Sequence, residues 1–175
     1  ISNNHKDIEK AEKIILPGVG SFDTGVDNLR KFNLIEILSK KALKDRIPVF
    51  GICLGMQLLS RSSEEGELKG LGWVRAKTVK FNLDENLNIP HMGWNDVAVN
   101  KDNEGLLSGF DSDPRFYFDH SFHLVCDNKE DIMGETEYSY PFASAIRSDN
   151  IYGVQFHPEK SHKYGMKVFE NFISL

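Results

Sequence analysis

The segment Pro48-Val49-Phe50-Gly51-Ile52-Cys53-Leu54-Gly55 constrains the fold of this chain more than any other. Its apolar run is the length of a buried strand, and Leu54 to Leu59 read as the start of a helix. Only Cys53 separates the two. A chain that leaves a strand and enters a helix within one residue must double back sharply. Gly51 and Gly55 flank that point because larger side chains would clash there. The form Gly-x-Cys-x-Gly between strand and helix matches a nucleophile elbow, which lifts a reactive side chain above a sheet. The following helix start is expected to favour the thiolate through its dipole and free N–H groups. The Leu54 N–H is placed to stabilise a negative oxygen. A lone cysteine beside a strand is also commonly structural packing, and Cys126, at the end of Phe122-His123-Leu124-Val125-Cys126, reads that way.

The rest of the chain supplies a setting for such a turn. Lys13-Ile14-Ile15-Leu16, stopped by Pro17-Gly18, reads as another buried strand entering a tight loop. Asp23 is a plausible cap for a helix over 24–31, and a second helix fits 33–44 with Leu34, Ile35, Ile37, Leu38 and Leu43 on its apolar side. Strand, helices, strand, helix is the pattern of a parallel sheet with helices packed on it. The middle changes character. Val74–Phe81, Asp96–Val99, Phe116–Phe118, Phe122–Cys126, Phe142–Ile146 and Ile151–Phe156 read as short strands, an antiparallel extension of the sheet. A last helix fits 162–174, where Met166, Phe169, Phe172 and Ile173 recur at helical spacing. No repeat or linker interrupts the 175 residues, so residues 1–175 read as one α/β domain.

Composition excludes some partners. The net charge is −5 and no long basic run occurs, so nucleic acid is not expected. No apolar stretch is long enough to span a bilayer, so no membrane association is expected. Two cysteines without a CxxC pair suggest neither a disulfide framework nor a zinc site, and a reducing, cytoplasmic setting fits. No signal peptide is visible, although the chain begins with Ile1 rather than Met.

A thiol nucleophile needs a base. His157 ends the strand Gly153-Val154-Gln155-Phe156 and is followed by Pro158-Glu159. In a parallel sheet, chemistry gathers at the carboxyl ends of strands, so His157 and Cys53 are expected on one rim. Glu159 is placed to hold the imidazole in one tautomer, a Cys-His-Glu version of the triad arrangement. Taken singly, His157 could be a strand-end residue bonded to backbone, and Glu159 a helix-cap carboxylate.

Gly-Ile-Cys-Leu-Gly-Met-Gln (51–57) and Gly-Val-Gln-Phe-His-Pro-Glu-Lys-Ser (153–161) resemble the triad, or class I, glutamine amidotransferases. Leu-Pro-Gly-Val-Gly-Ser-Phe (16–22), Ile-Pro-His-Met-Gly-Trp-Asn (89–95) and Tyr-Phe-Asp-His-Ser-Phe (117–122) are similar to segments of the glutaminase subunits of imidazole glycerol phosphate synthases. The resemblance implies a flavodoxin-like sheet with central parallel strands, helices on both faces and an antiparallel β extension. It implies hydrolysis of glutamine by Cys53, His157 and Glu159, without cofactor or metal. The oxyanion hole would be the Leu54 N–H and an N–H of the Val19–Gly20 peptide, whose glycines permit a peptide flip. Gly18, Gly51, Gln57 and Glu65 would serve glutamine binding, with His120, Ser121 and Phe122 pairing through backbone to its amino-acid end. Glu64 is an adjacent alternative to Glu65, and both belong to a loop that would otherwise be solvated acid. Trp94, Asn95, Tyr117 and Lys160 would lie near a partner, a (β/α)8-barrel cyclase or synthase subunit that receives the ammonia as a heterodimer for histidine biosynthesis.

Two departures stand out. Members normally open with a strand, a helix and a second strand before the segment resembling 1–12, so a truncated chain is expected. Gly72-Trp73-Val74-Arg75-Ala76-Lys77 also departs from a glycine-rich pattern. Similar departures occur in paralogues that resemble ammonia suppliers for surface-polysaccharide or flagellar-sugar amidotransferases, an alternative pathway with the same chemistry. A cysteine peptidase on a related fold and a catalytically silent binding module are the alternatives of other classes.

Overall fold

The computed structural model describes residues 1–83, 87–100, 105–110 and 112–175. In chain order the elements are α1 (His5–Lys10), β1 (Ile14–Gly18), α2 (Phe22–Lys31), α3 (Leu34–Ser39), β2 (Val49–Cys53) and α4 (Leu54–Leu58). Then come β3 (Ala76–Lys80), β4 (His91–Asp96), β5 (Ala98–Val99), β6 (Arg115–His120), β7 (Phe122–Cys126), β8 (Ile132–Tyr138), β9 (Tyr140–Ser148), β10 (Ile151–Val154) and α5 (His162–Ser174).

Among the described residues the main sheet runs β1-β2-β10-β9-β7-β3, with β8 pairing β9 and β5 pairing β8. The strands β1, β2 and β10 are parallel, and the rest extend antiparallel from β9. Every residue of β2 is buried, as a central parallel strand requires. Its alternate side chains face opposite layers. Phe50 packs on Phe169 and Phe172 of α5, at ring distances of 6.3 and 5.2 Å. On the other face α4 carries Leu54 and Leu58 into a cluster with Ile8, Phe22, Val26, Leu29 and Leu38 of the first three helices. Helices therefore cover both faces of the parallel part. The pair β4–β6 forms a separate two-stranded ribbon.

Several elements differ from the sequence reading. The helix over 33–44 is α3 followed by a π-helical turn at Lys40–Lys44, and Asn33, at φ 55°, breaks it from α2. Ser21, not Asp23, is the cap residue of α2. The Asp23 carboxylate instead accepts the N–H groups of Glu67 and Leu68, at 3.0 and 3.1 Å, and pins the loop bearing Glu65. The strand expected over 96–99 is divided, with Asp96 ending β4 and Ala98–Val99 forming β5, and the rest of β4 lies before it. The sequence reading lacks α1, where Ile8 is the only buried residue, and β8, where Gly134 and two glutamates blur the apolar alternation. Trp73, the departure from the glycine-rich pattern, is half-buried beside two core clusters and donates its indole N–H to Ser39 Oγ at 3.2 Å.

Candidate active site

Cys53 ends β2 and caps α4 with φ 52° and ψ −111°. A non-glycine residue in such a conformation costs about 1–3 kcal/mol and persists only where its surroundings hold it. Here they are backbone contacts. A Cβ on Gly55 would lie 1.8 Å from the Leu16 carbonyl oxygen, and one on Gly51 2.7 Å from that of Gly55. Gly18 pairs with Cys53 across the sheet. Gly18 and Gly51 thus let the turn pack closely on its neighbours, and neither lines the cavity that Cys53 faces.

The thiol is buried, 7% exposed. Burial pushes its pKa up to about 11; the hydrogen bond from the Leu54 N–H opposes this, while Asp119 and Glu159 add to it. The thiolate expected at a helix start is therefore not the resting form. Desolvation outweighs the dipole of α4, which has only five residues. A thiol in this state acts as a nucleophile only if a base takes its proton.

His157 lies beyond β10, on the same side of the sheet as the elbow. Its backbone is fixed at both ends. The His157 N–H donates to the Tyr117 carbonyl at 2.8 Å, and its own carbonyl accepts from Ser161 Oγ at 2.6 Å. Phe156 stacks on Phe116 at 3.8 Å just before it, an anchor under the histidine. The ring Nδ1 lies 2.7 Å from Glu159 Oε1. A carboxylate accepts only, so Nδ1 carries the proton and Nε2 is left to act as base.

A cavity of about 310 Å³ joins these groups. It is lined by Val19, Gly20, Cys53, Leu54, Gln57, Glu65, Pro90, Asp119, His120, Ser121, Phe122, His157 and Lys160. The wall thus brings together Cys53 and His157, the expected catalytic pair, and most of the expected glutamine-binding residues. Glu65 and Glu64 separate clearly. Glu65 faces the cavity and accepts the Phe22 N–H at 2.7 Å, whereas Glu64 accepts the Lys80 N–H at 2.8 Å, outside it. Glu159 is outside the wall and reaches the cavity through His157. The Ser121 carbonyl accepts the Phe81 N–H, and the Phe122 carbonyl accepts from Gln57 and His120, so these carbonyls are already engaged.

The glutamine amidotransferase class-I family model matches residues 1–175. This chain is a class-I glutamine amidotransferase. It is 56% identical to imidazole glycerol phosphate synthase subunit HisH 2 of Methanococcus maripaludis, covering 99% of this chain and 85% of that protein. It is 46% identical to the subunit HisH 2 of Pseudomonas aeruginosa, over 99% and 86% of the two chains. In fold it is similar to a crystal structure of a glutamine amidotransferase, with TM-score 0.75 at 17% identity, covering 99% and 83%.

The amidotransferase carries one further group at the thiol that the sequence reading did not single out. Gln155 is fully buried and its Nε2 lies 3.7 Å from Cys53 Sγ. It stands within the His157 segment, two residues before the histidine, which was its only signal. On the ribbon, Trp94 is exposed and stacks on His162 at 5.6 Å, beside Tyr117. Lys160 Nζ lies over the Tyr117 ring at 5.4 Å. These three of the expected interface residues adjoin one another, and Lys160 also lines the cavity. The fourth, Asn95, is half-buried with its amide turned inward to His91 and the Glu137 carbonyl. No helix is long and apolar enough to cross a membrane, and no group of metal-ligating side chains occurs, among the described residues.

Proposed function

We propose that this amidotransferase hydrolyses glutamine to glutamate and ammonia through Cys53, His157 and Glu159. The supporting observation is the convergence of an elbow thiol and a carboxylate-oriented histidine on one cavity. The sulfur attacks the side-chain amide carbon while His157 Nε2 takes the thiol proton. His157 then delivers that proton to the departing nitrogen, which leaves as ammonia, and a γ-glutamyl thioester remains. Water, deprotonated by His157 Nε2, attacks the thioester; the proton is passed to the sulfur as the C–S bond breaks, and glutamate departs. Glu159 holds the tautomer and stabilises the imidazolium. The Leu54 N–H and an N–H of the Val19–Gly20 peptide receive the negative oxygen, while Gln57 and Glu65 hold the amino-acid end.

The names of its relatives support a consumer of the ammonia: a synthase subunit that makes imidazole glycerol phosphate for histidine biosynthesis. We assign that partner a (β/α)8 barrel, docked on the surface of Trp94, Tyr117 and Lys160, with its acceptor at the carboxyl-terminal face of the barrel. Residues 1–175 act as one domain in a cytoplasmic heterodimer. The test supplies amide-15N glutamine to this chain with the barrel subunit and follows the label. Label in the imidazole product supports the assignment, and label found only in free ammonia refutes the pathway.

A further inference from the structure

Behind Gln57, His120 and Phe122 of the cavity wall runs a buried polar path whose His91, His120 and Gln155 have no part in the reaction above. It starts on the ribbon at Asn95. The Asn95 amide is oriented by two partners, since Oδ1 accepts the Asp96 N–H at 2.9 Å and Nδ2 donates to the Glu137 carbonyl at 3.0 Å. Nδ2 therefore also faces His91 Nε2, at 3.2 Å, as a donor. His91 Nε2 must accept, so its proton sits on Nδ1, which lies 3.0 Å from His120 Nε2. His120 in turn must carry its proton on Nδ1, which lies 2.8 Å from the Phe122 carbonyl oxygen. A carbonyl only accepts, so the far end of the chain demands the same polarity as the near end.

From the Phe122 carbonyl the path continues. Gln57 Nε2 donates to it at 3.1 Å and to Gln155 Oε1 at 3.1 Å. That fixes the Gln155 amide with Nε2 towards Cys53 Sγ. His91, His120, Gln57 and Gln155 are all buried. Burial pushes His91 to about 4 and His120 to about 3, so both rings are neutral at neutral pH. Two neutral rings are what a one-directional chain of donors requires, because a protonated ring would face its neighbour with no acceptor.

We propose that His91 and Gln155 are positioning residues for the glutaminase step, the two ends of a hydrogen-bonded path that sets the His120 tautomer, anchors Phe122 and Gln57, and orients the Cys53 thiol. The proposal rests on the glutaminase reading of this site. Without the His91 donor, His120 Nε2 becomes a buried acceptor with no partner, and the ring gains by turning to satisfy it. Its Nδ1–H then swings away from the Phe122 carbonyl. The carbonyl loses one of its two donors, and Gln57 loses a fixed support.

Two substitutions separate positioning from packing. His91 stacks on Phe118 and Tyr138, at 4.7 and 4.0 Å. His91→Phe keeps that stacking and removes both nitrogens, whereas His91→Asn leaves a donor near the Nδ1 position and loses ring area. Positioning predicts that His91→Phe lowers kcat about tenfold, as for loss of one buried hydrogen bond. KM for glutamine should change less, and His91→Asn should recover most of the rate. Packing alone predicts the reverse order, and that order overturns the proposal. Imidazole 15N NMR of the wild-type protein tests the path without turnover or a variant that must fold. Nδ1–H tautomers are expected at both His91 and His120, and an Nε2–H tautomer at either one refutes it. If wild-type glutamate release does not depend on Cys53, the functional reading fails, and the tautomers still decide the path.

Discussion

The two halves of the proposed oxyanion hole are built in opposite ways. The Leu54 side lies at the end of a strand in which every residue is buried, on a turn whose glycines touch backbone. The Val19–Gly20 side is open. Val19 is 80% exposed, and a Cβ on Gly20 would meet nothing within 4 Å. Gly20 is required there for its dihedral, φ 95°, and not for space. One donor is thus held by the core and the other by a loop that little else restrains. Rate control by a change of shape belongs in the loop, since the elbow cannot move without parting β1 from α4.

Gly55→Ala breaks the rigid half. Its methyl group would sit against the Leu16 carbonyl, so a rate loss of ~10³ or more and a lower melting temperature are expected, the oxyanion donor being lost with the turn. Normal turnover in that variant would mean that the elbow is not rigid. The buried thiol gives the next largest effect. With its pKa at about 11, Cys53 should alkylate at pH 8 roughly 100-fold more slowly than an ordinary thiol, with the rate still rising above pH 9. A plateau near pH 7 would show a resting thiolate and contradict the burial argument. Gly20→Ala strains the loop without crowding it, so kcat should fall about tenfold with the melting temperature nearly unchanged. A drop in stability comparable to that of Gly55→Ala would erase the contrast between the two halves. Trp94→Ala sharpens it from outside. Glutaminase activity of the isolated chain should stay within about twofold, because Trp94 is exposed and outside the cavity wall.

The rigid half was also the more legible half. A strand, a single turn residue and a helix are contiguous in sequence, so the Gly51–Gly55 pattern carries its own geometry. The last histidine segment is legible for the same reason, since Pro158 and Glu159 adjoin His157. What could not be read is set by contacts distant in sequence. The thiol's high pKa comes from neighbours packed over it, which no local motif announces. Gln155 lies inside a recognisable segment, but its role needs Gln57, 98 residues away, to orient it. The choice between Glu64 and Glu65 is made by the Lys80 and Phe22 N–H groups, and the tethering of Asn95 by Glu137. In the fold, β8 escaped notice because its register against β9 shifts twice near Gly134, where the alternation is lost.

The most direct test of the Cys53 assignment is glutamate release from glutamine by wild type and Cys53→Ala, assayed with the proposed barrel partner, with a thermal melt of each. Cys53→Ala removes one buried atom from a turn held by its neighbours, so it should keep a cooperative melt and lose glutamate release by a factor of ~10³ or more. Equal rates from the two folded proteins would contradict the assignment of Cys53 as the nucleophile.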